Sequence, residues 1–294
     1  MVNGIINVYK EKGYTSFDVV AKLRGIFHQK KIGHTGTLDP DAQGVLPVCL
    51  GKATRVCDLL TDKDKVYKAV LLLGQETDTQ DISGQVINQA KVNVTEQAVY
   101  DAISQFIGRQ KQVPPMYSAL KVNGKKLYEL AREGKTVERK PRPVHFYEIE
   151  ILDISFPLVR FRVTCSKGTY IRTLCHDIGE KLGCGAAMES LLRTKVGRFT
   201  LDDAITLAQT EEAVQKGTIE SKILGIEEIL AEYPRVCCTK EGDRLLANGN
   251  PLVQALVDAQ EKNGWIRMCS SEGSFAGVYQ WDEKRNRYFP VKMF

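Results

Sequence analysis

The chain has 294 residues, enough for one large domain or two that bury most of their surface without disulfide or metal support. Hydrophobic residues make up 43% of it and charged residues 26%, which is typical of a folded globular protein and excludes intrinsic disorder. Its 41 basic and 36 acidic residues leave a net charge of +5, a mild excess that suits a polyanionic partner without identifying one.

The first half of the chain predicts alternating strands and helices around one structured loop. In chain order, we expect a strand over 3–10, a helix over 15–27, a loop over 33–51, a strand over 66–73 and a helix over 95–108. The two helices carry apolar side chains three and four residues apart and begin at threonines that can cap them. The loop is rich in Gly, Pro, Thr and Asp, which break regular structure.

Asp39 is the residue of this loop that could carry chemistry. Pro40 biases Asp39 away from helical backbone, and Leu38 with Val45-Leu46 anchors the loop to a core. A carboxylate held in this way can act as a nucleophile or a base. An Asx turn explains the same residues, because Asp before Pro is common turn chemistry. The pattern alone leaves both interpretations open.

A strongly basic stretch follows, from Arg109 to Arg142, with ten basic and three acidic residues. Tyr117 and Tyr128 lie among these charges, an arrangement that suits RNA or DNA because lysines and arginines neutralise phosphates while rings stack on bases. A solvated helix–loop face is the alternative. By contrast, residues 201–294 contain 11 basic and 15 acidic residues.

The rest of the chain predicts a sheet and a separate β-rich end. We expect a short helix over 127–132, alternating strands near 147–151 and 159–163, a helix over 170–182, a helical segment over 203–232, and strands over 264–269, 276–281 and 287–293. The fold class is therefore α+β, with a large mixed, mostly antiparallel sheet flanked by helices. We place a catalytic or binding domain at 1–232 and a small β-rich domain at 233–294.

The sequence predicts neither a metal nor a cofactor. The eight cysteines form no C-x-x-C pair, and adjacent Cys237 and Cys238 are poorly placed to share one tetrahedral zinc. No Walker loop or G-x-G-x-x-G motif is present. No apolar run approaches the roughly 18 residues of a membrane span, and the first ten residues lack the pattern of a secretion signal. We therefore expect a cytoplasmic protein with reduced thiols.

Four segments, in order and spacing, resemble the motifs of the TruB family of pseudouridine synthases. They are GHTGTLDPDAQGVLPVCLGKATR at 33–55, KVYKA at 65–69, SKGTYIRTL at 166–174, and GEKLG at 179–183 followed by LLR at 191–193. The likeness covers about residues 3–200, and it implies a pseudouridine-synthase fold with a PUA-like RNA-binding domain in the tail. The family isomerises U55 in the T loop of tRNA, and the resemblance implies that activity here.

The resemblance implies catalytic roles for Asp39, Arg172 and Tyr67. Asp39 would be the essential carboxylate, which adds to C6 of the uracil or attacks C1′ of the ribose before the base rotates and rejoins through C5. Arg172 would pair with Asp39 and keep it ionised, since an opposite charge lowers the pKa of a carboxyl group. Tyr67 would stack on the base and assist deprotonation at C5. No cofactor or metal is implied.

Four further residues acquire substrate-binding roles from the resemblance. The target uridine must be flipped out of the T loop to be reached, and His34 would occupy the vacated space or brace the loop; a turn histidine is the alternative. Tyr170 and Leu191 match positions that line the uridine pocket. Lys10 matches a lysine of the K-P-x-G motif, although the sequence KEKG here lacks the proline.

Two other regions also match the family. Thr77-Asp78-Thr79 and Asp81 would have a structural role or make a minor RNA contact. The basic stretch 109–142 would be an insertion that clamps the T-arm of tRNA. The resemblance suggests a monomer that needs no protein partner and no membrane.

Three other functions compete with this one. A synthase of the same family could act on another RNA, and an RNA-binding protein could remodel or fold tRNA without chemistry. The intact set of Asp39, Tyr67 and Arg172 argues against binding alone. A DNA-binding protein is disfavoured because the sequence contains no helix-turn-helix or zinc-finger pattern.

Overall fold

The computed structural model of the protein describes residues 1–122, 124–258 and 262–294. Its strands, in chain order, are β1 (Gly4–Lys10), β2 (Ile32–His34), β3 (Gln43–Leu50), β4 (Lys65–Leu73), β5 (Gln75–Thr77), β6 (Val86–Gln89), β7 (Gly108–Gln112), β8 (Lys121–Val122), β9 (Lys125–Lys126), β10 (Arg142–Ser155), β11 (Leu158–Cys165), β12 (Ala186–Val196), β13 (Phe199–Thr200), β14 (Ile223–Leu224), β15 (Arg235–Cys237), β16 (Leu252–Val253), β17 (Trp265–Cys269), β18 (Phe275–Asp282) and β19 (Arg287–Met293). The α-helices are α1 (Ser16–Ile26), α2 (Cys57–Thr61), α3 (Glu96–Ser104), α4 (Leu127–Arg132), α5 (Ile171–Leu182), α6 (Leu207–Gln215), α7 (Ile226–Ile229) and α8 (Asp243–Ala247).

One large sheet organises the first 224 residues. Within the described residues, ten strands pair in the order β14-β1-β3-β12-β4-β11-β10-β7, with β2 beside β3 and β13 beside β12. All neighbours are antiparallel except β3 and β12, which run parallel and place Arg193 opposite Gly44. The structure therefore confirms the expected α+β fold with a mixed, mostly antiparallel sheet.

Helices cover the sheet through two apolar clusters. Helix α1 begins at the predicted cap, where the Thr15 hydroxyl accepts a hydrogen bond from the Asp18 amide and the Asp18 carboxylate accepts one in return; its buried face packs with β1, β3 and α6. Helix α5 buries Ile171, Leu174 and Ile178 against β4, β11 and β12. It therefore carries residue 172 to the edge of the same cluster.

The prediction of one loop over 33–51 is wrong for its second half. Only the segment between β2 and β3 is irregular, and Gln43–Leu50 is a buried strand in the middle of the sheet. A strand that is buried on both faces shows no alternation of apolar and polar residues, so its Gly and Pro content dominated the sequence pattern. Pro47 lacks an N–H, but its carbonyl accepts hydrogen bonds from the Thr35 amide and hydroxyl.

The predicted helical segment over 203–232 is also only partly correct. Helices α6 and α7 occupy about half of it, while β14 joins the edge of the main sheet by pairing with β1. Helix α3 ends at Ser104 and not at Gly108, which begins β7. Edge strands of two residues are too short to produce a periodic signal.

The β-rich C-terminal part forms a second sheet in the order β15-β17-β18-β19-β16. The strands over 264–269, 276–281 and 287–293 are confirmed within one or two residues. Val278 and Phe294 pack with Val56 and Leu60 of the main body. The PUA-like identity of this C-terminal part and its boundary at residue 233 stay predictions. In the part of the chain that the structure describes, no helix has the length and apolarity needed to span a membrane.

Candidate active site

The loop between β2 and β3 presents Asp39 at the edge of the sheet. The Leu38 amide donates to the Ser16 hydroxyl oxygen at 2.9 Å, and the Ala42 amide donates to the Asp39 carbonyl at 3.1 Å. A side chain at Gly44, where φ is +107°, would overlap the Arg193 backbone. These contacts fix the loop backbone through groups other than the Asp39 carboxylate.

Lys10 lies beneath this loop and is fully buried. Its Nζ donates to the carbonyls of Pro40 at 3.0 Å, Ala42 at 2.6 Å and Glu11 at 3.1 Å. Burial lowers the pKa of Lys10 to about 8, while the nearby Asp39 carboxylate opposes that change. The side chain therefore supports the backbone that directly follows Asp39, and its direct contact with substrate stays a prediction.

Arg172, at the first turn of α5, reaches the Asp39 carboxylate across 133 residues of sequence. Its Nε lies 3.0 Å from Asp39 Oδ2, and its Nη1 lies 3.5 Å from Asp81 Oδ2. The Arg172 side chain is 5% exposed and that of Asp39 is 37% exposed. Burial raises the pKa of Asp39, Arg172 opposes this, and the like charge of Asp81 adds to the rise.

The remaining donors of Arg172 bind two backbone carbonyls. Nη1 donates to Thr79 at 3.2 Å and Nη2 donates to Tyr117 at 2.9 Å. The guanidinium thus joins the Asp39 loop, the segment after β5 and the basic insertion. The ion pair of Asp81 with Arg172 was not predicted, since the family resemblance implied only a structural or minor RNA-contact role for Asp81. A second acid in the segment TDTQD was the available signal.

Tyr67 and Leu191 line the floor behind Asp39. Tyr67 lies on β4 and Leu191 on β12, and both belong with Leu38 to the apolar cluster under α5. Burial raises the pKa of the Tyr67 phenol. Both side chains are largely buried here, at 7% exposed for Tyr67 and 9% for Leu191, so both belong to the apolar core at the base of the Asp39 loop.

Tyr170 borders the site from the side of the insertion. Its backbone N–H donates to Gln112 Oε1 at 2.8 Å, and its carbonyl accepts from Gln112 Nε2 at 2.9 Å. This pair joins β7 to the start of α5. Burial raises the pKa of the Tyr170 phenol, and Ser118 opposes the rise. Gln112 was not identified from the sequence.

His34 is half-buried at the start of the Asp39 loop. Its Nδ1 accepts a hydrogen bond from the Gly36 amide at 3.3 Å, the contact that the turn-histidine alternative requires. Burial lowers the pKa of His34, with a further decrease from the Arg193 charge. The lowered pKa favours the neutral imidazole, and the contact of His34 with RNA stays a prediction.

The basic insertion flanks the site next to Arg172. Its exposed basic side chains are Arg109, Lys111, Lys121, Lys125, Arg132, Lys135, Lys140 and Arg142. The Tyr117 hydroxyl lies 3.4 Å from Asp78 Oδ2, which connects the insertion to the segment after β5. The insertion therefore presents positive charge on the segment that contacts Arg172, as a polyanionic substrate would require.

Known structures and families identify this arrangement. A chain from the solved Cbf5-Nop10-Gar1 complex aligns with 99% of this chain and 84% of its own length, with a TM-score of 0.74 and 29% identity. The chain of an archaeal box H/ACA sRNP Nop10-Cbf5 complex aligns with a TM-score of 0.72 and 26% identity, over 99% of this chain and 86% of its own. The fold is thus of the pseudouridine-synthase type.

Sequence families make the assignment specific. Residues 24–171 match the TruB family pseudouridylate synthase N-terminal domain, and residues 172–231 match the tRNA pseudouridylate synthase B C-terminal domain. The tRNA pseudouridine synthase B of Lachnoclostridium phytofermentans is 55% identical over the full length of both chains. That of Clostridium novyi is 48% identical over 94% of this chain and 95% of its own. This chain belongs to the TruB family of pseudouridylate synthases.

Proposed function

We propose that this pseudouridine synthase acts on tRNA, at U55 of the T loop, with Asp39 as the nucleophile. The observation that carries the proposal is the Asp39 carboxylate, 3.0 Å from the buried Arg172 and beside an exposed basic insertion. Relatives named tRNA pseudouridine synthase B, one of which aligns over the full length of both chains, support tRNA as the substrate.

The chemistry is an isomerisation in which atoms and electrons balance. Asp39 adds to C6 of the uracil or attacks C1′ of the ribose. The N1–C1′ bond breaks, the base rotates, and a C5–C1′ bond forms. C5 then loses its proton, N1 gains one, and the carboxylate is released. The product has the same composition as the substrate, so the proposal requires no cofactor and no metal.

Arg172 and Tyr67 assist this sequence. Arg172 holds the Asp39 carboxylate in one orientation and opposes the rise in its pKa that burial causes, which favours the ionised form that acts as the nucleophile. Tyr67 stacks on the flipped uracil and assists removal of the proton from C5. Both residues lie in elements that the main sheet fixes in place.

The other residues recognise the flipped nucleotide. Tyr170 and Leu191 border the uracil, neutral His34 braces the loop or fills the space that the uridine leaves, and Lys10 supports the loop from below. Flipping costs a few kcal/mol, which contacts between the basic insertion and the T-arm would offset. The C-terminal sheet would act as a PUA-like RNA-binding domain. We further propose a cytoplasmic monomer that needs no protein partner.

Tritium release from 5-tritiated uridine in a T-arm hairpin tests the proposal. Wild-type protein should release tritium, and the Asp39→Asn variant should release none while still binding the hairpin. A second hairpin with cytidine at the target position should release none from its remaining labelled uridines. Tight binding without release by wild type would contradict the proposal and favour a tRNA-folding role or another RNA substrate.

A further inference from the structure

Arg193, on β12, is the largest fully buried side chain of the described residues, with 1% of its surface exposed. Its guanidinium lies directly behind the Asp39 loop. Nε donates to the Val45 carbonyl at 2.7 Å, and Nη1 and Nη2 donate to the carbonyls of Thr37 and Gly36, each at 3.4 Å. One side chain therefore contacts both ends of the segment that carries Asp39.

The same guanidinium also interacts with Tyr67. Arg193 lies opposite Tyr67 in the antiparallel pair of β12 and β4. Burial raises the pKa of the Tyr67 phenol, and the charge of Arg193 opposes part of that rise. The loop with the nucleophile and the strand with the tyrosine are thus connected through a single group, which touches neither the Asp39 carboxylate nor open solvent.

The partners of Arg193 are unusual for a buried cation. In residues 1–122, 124–258 and 262–294, no carboxylate forms an ion pair with it; it donates to three carbonyls, and the Tyr67 phenol interacts with it from the paired strand. Burial lowers the pKa of the guanidinium, and an uncompensated buried charge destabilises the fold. A methionine would fill similar space without that charge, so the fixed fork of donors is what distinguishes arginine here.

We propose that Arg193 is a positioning residue for pseudouridine formation: it fixes the Gly36 and Thr37 carbonyls relative to the Tyr67 phenol, so that Asp39 and Tyr67 face the same uridine. The inference rests on the roles proposed for Asp39 and Tyr67. It differs from the role of Arg172, which contacts the nucleophile itself. Small displacements of catalytic groups reduce rates strongly, and Arg193 acts on the spacing between two of them.

Two variants test this role, Arg193→Met and Arg193→Lys. Single-turnover tritium release at saturating RNA should fall about 100-fold in Arg193→Met, and Arg193→Lys, which keeps the charge on a single donor nitrogen but lacks the fork of the guanidinium, should recover part of the loss. The Kd for the T-arm should change by less than about threefold, because Arg193 does not reach the surface. A loss confined to RNA affinity, with the rate intact, would overturn the proposal.

A matched control separates positioning from general stability. Leu207→Ala truncates a buried side chain of α6 in the cluster around α1, away from the site. It should lower the melting temperature and leave the single-turnover rate unchanged. If Arg193→Met lowers the rate no more than Leu207→Ala does at a temperature where both are folded, the role of Arg193 is merely structural.

Hydrogen exchange provides a readout that does not depend on activity. In Arg193→Lys the amides of Leu38 and Ala42, both hydrogen-bonded in the loop, should exchange faster, whereas the Val19 amide in α1 should keep its wild-type rate. If all three amides of Arg193→Lys exchanged at their wild-type rates, the proposal would be contradicted, even if Arg193→Met failed to fold. If the wild-type protein released no tritium, the proposed substrate would be wrong. The role of Arg193 in holding the loop would still be decided by hydrogen exchange, which does not depend on activity.

Discussion

Asp39 shares one guanidinium with a second acid, and both neighbours act on its pKa in addition to burial, which has the largest effect. Arg172 lies 3.0 Å from Asp39 and 3.5 Å from Asp81. Burial and Asp81 both raise the pKa of Asp39, and Arg172 opposes them. The Asp39 carboxylate therefore lies between the favourable charge of Arg172 and the unfavourable charge of Asp81, and the same guanidinium is paired with both acids.

Asp81→Asn should lower the single-turnover rate by about 10- to 100-fold, because Arg172 is left without one of the partners that orient it. RNA affinity should be unchanged. Since the like charge of Asp81 raises the pKa of Asp39, its removal should move the acid limb of the rate–pH profile to lower pH. Measuring that profile for both proteins checks the shift.

Asp153→Asn provides the matched control. Asp153 also pairs with an arginine, Arg160, at 2.6 Å, but on the exposed end of β10 and β11. Its rate and profile should equal those of wild type. An unshifted acid limb in Asp81→Asn would mean that Asp81 does not influence the nucleophile.

The lowered pKa of Lys10 predicts that the stability of the folded protein depends on pH. Its pKa is lowered from 10.5 to about 8 in the folded chain, so between those values the unfolded chain holds a proton that folded Lys10 has released. The free energy of unfolding should therefore rise with pH across this interval, by about 3 kcal/mol from this group. Urea unfolding of wild type and Lys10→Met at pH 7, 8.5 and 10 measures the difference. Parallel curves for the two proteins would contradict the assignment.

At the scale of elements, the contact between α5 and β12 sets the position of Arg172. A Cβ on Gly179 would overlap the backbone of Ala186 and Gly185, so the helix approaches the strand as closely as glycine allows. Arg172 lies two turns earlier on the same rigid helix. Any displacement of α5 is therefore transmitted to the residue that orients Asp39.

Gly179→Ala should destabilise the protein by about 1–3 kcal/mol through overpacking, although alanine is the better helix former by about 1 kcal/mol. Activity should fall together with stability, because α5 has to move away from β12. Lys181→Ala, at an exposed position on the same helix, should change neither. Thermal unfolding and tritium release measure both effects, and a stabilised Gly179→Ala would contradict the close approach of α5 to β12.

The sequence predicted elements where the periodicity of apolar residues is clear, as in α1, β4 and α5. It failed for Gln43–Leu50, because a strand buried on both faces looks like a loop when it contains Gly and Pro. The family resemblance, rather than any pattern, brought Asp39 and Arg172 together across 133 residues. The burial of Lys10 and Arg193 could not be predicted, because charged residues are almost always exposed.

At the scale of the whole molecule, the basic surface of the insertion and the contact between the C-terminal sheet and the main body involve different parts of the chain. The exposed basic residues of the insertion lie beside the active site, whereas residues 201–294 are acidic on balance. The C-terminal sheet contacts the main body at α2 and the residues just before it. There, Lys292 Nζ lies 2.7 Å from Asp58 Oδ2 and donates to the Arg55 carbonyl at 2.7 Å. The polyanion is therefore expected to contact the insertion most strongly.

Reversing two charges in the insertion tests that distribution. Lys121→Glu with Lys125→Glu should weaken tRNA binding and reduce the slope of log Kd against log salt by roughly 0.7–0.9 for each phosphate that the insertion no longer neutralises. The single-turnover rate at saturating tRNA should be retained, since neither lysine contacts Asp39, Arg172 or Tyr67. Filter binding at several salt concentrations measures the slope.

Lys216→Glu with Lys222→Glu changes the net charge of the protein by the same amount on an exposed surface outside the insertion. If the long-range field of the whole protein governs binding, both double variants should bind tRNA equally weakly at low salt, because a long-range field depends on the net charge. If direct phosphate contacts govern it, only the variant in the insertion should show a reduced salt dependence. Equal slopes in the two variants would therefore remove the insertion from the tRNA-binding surface.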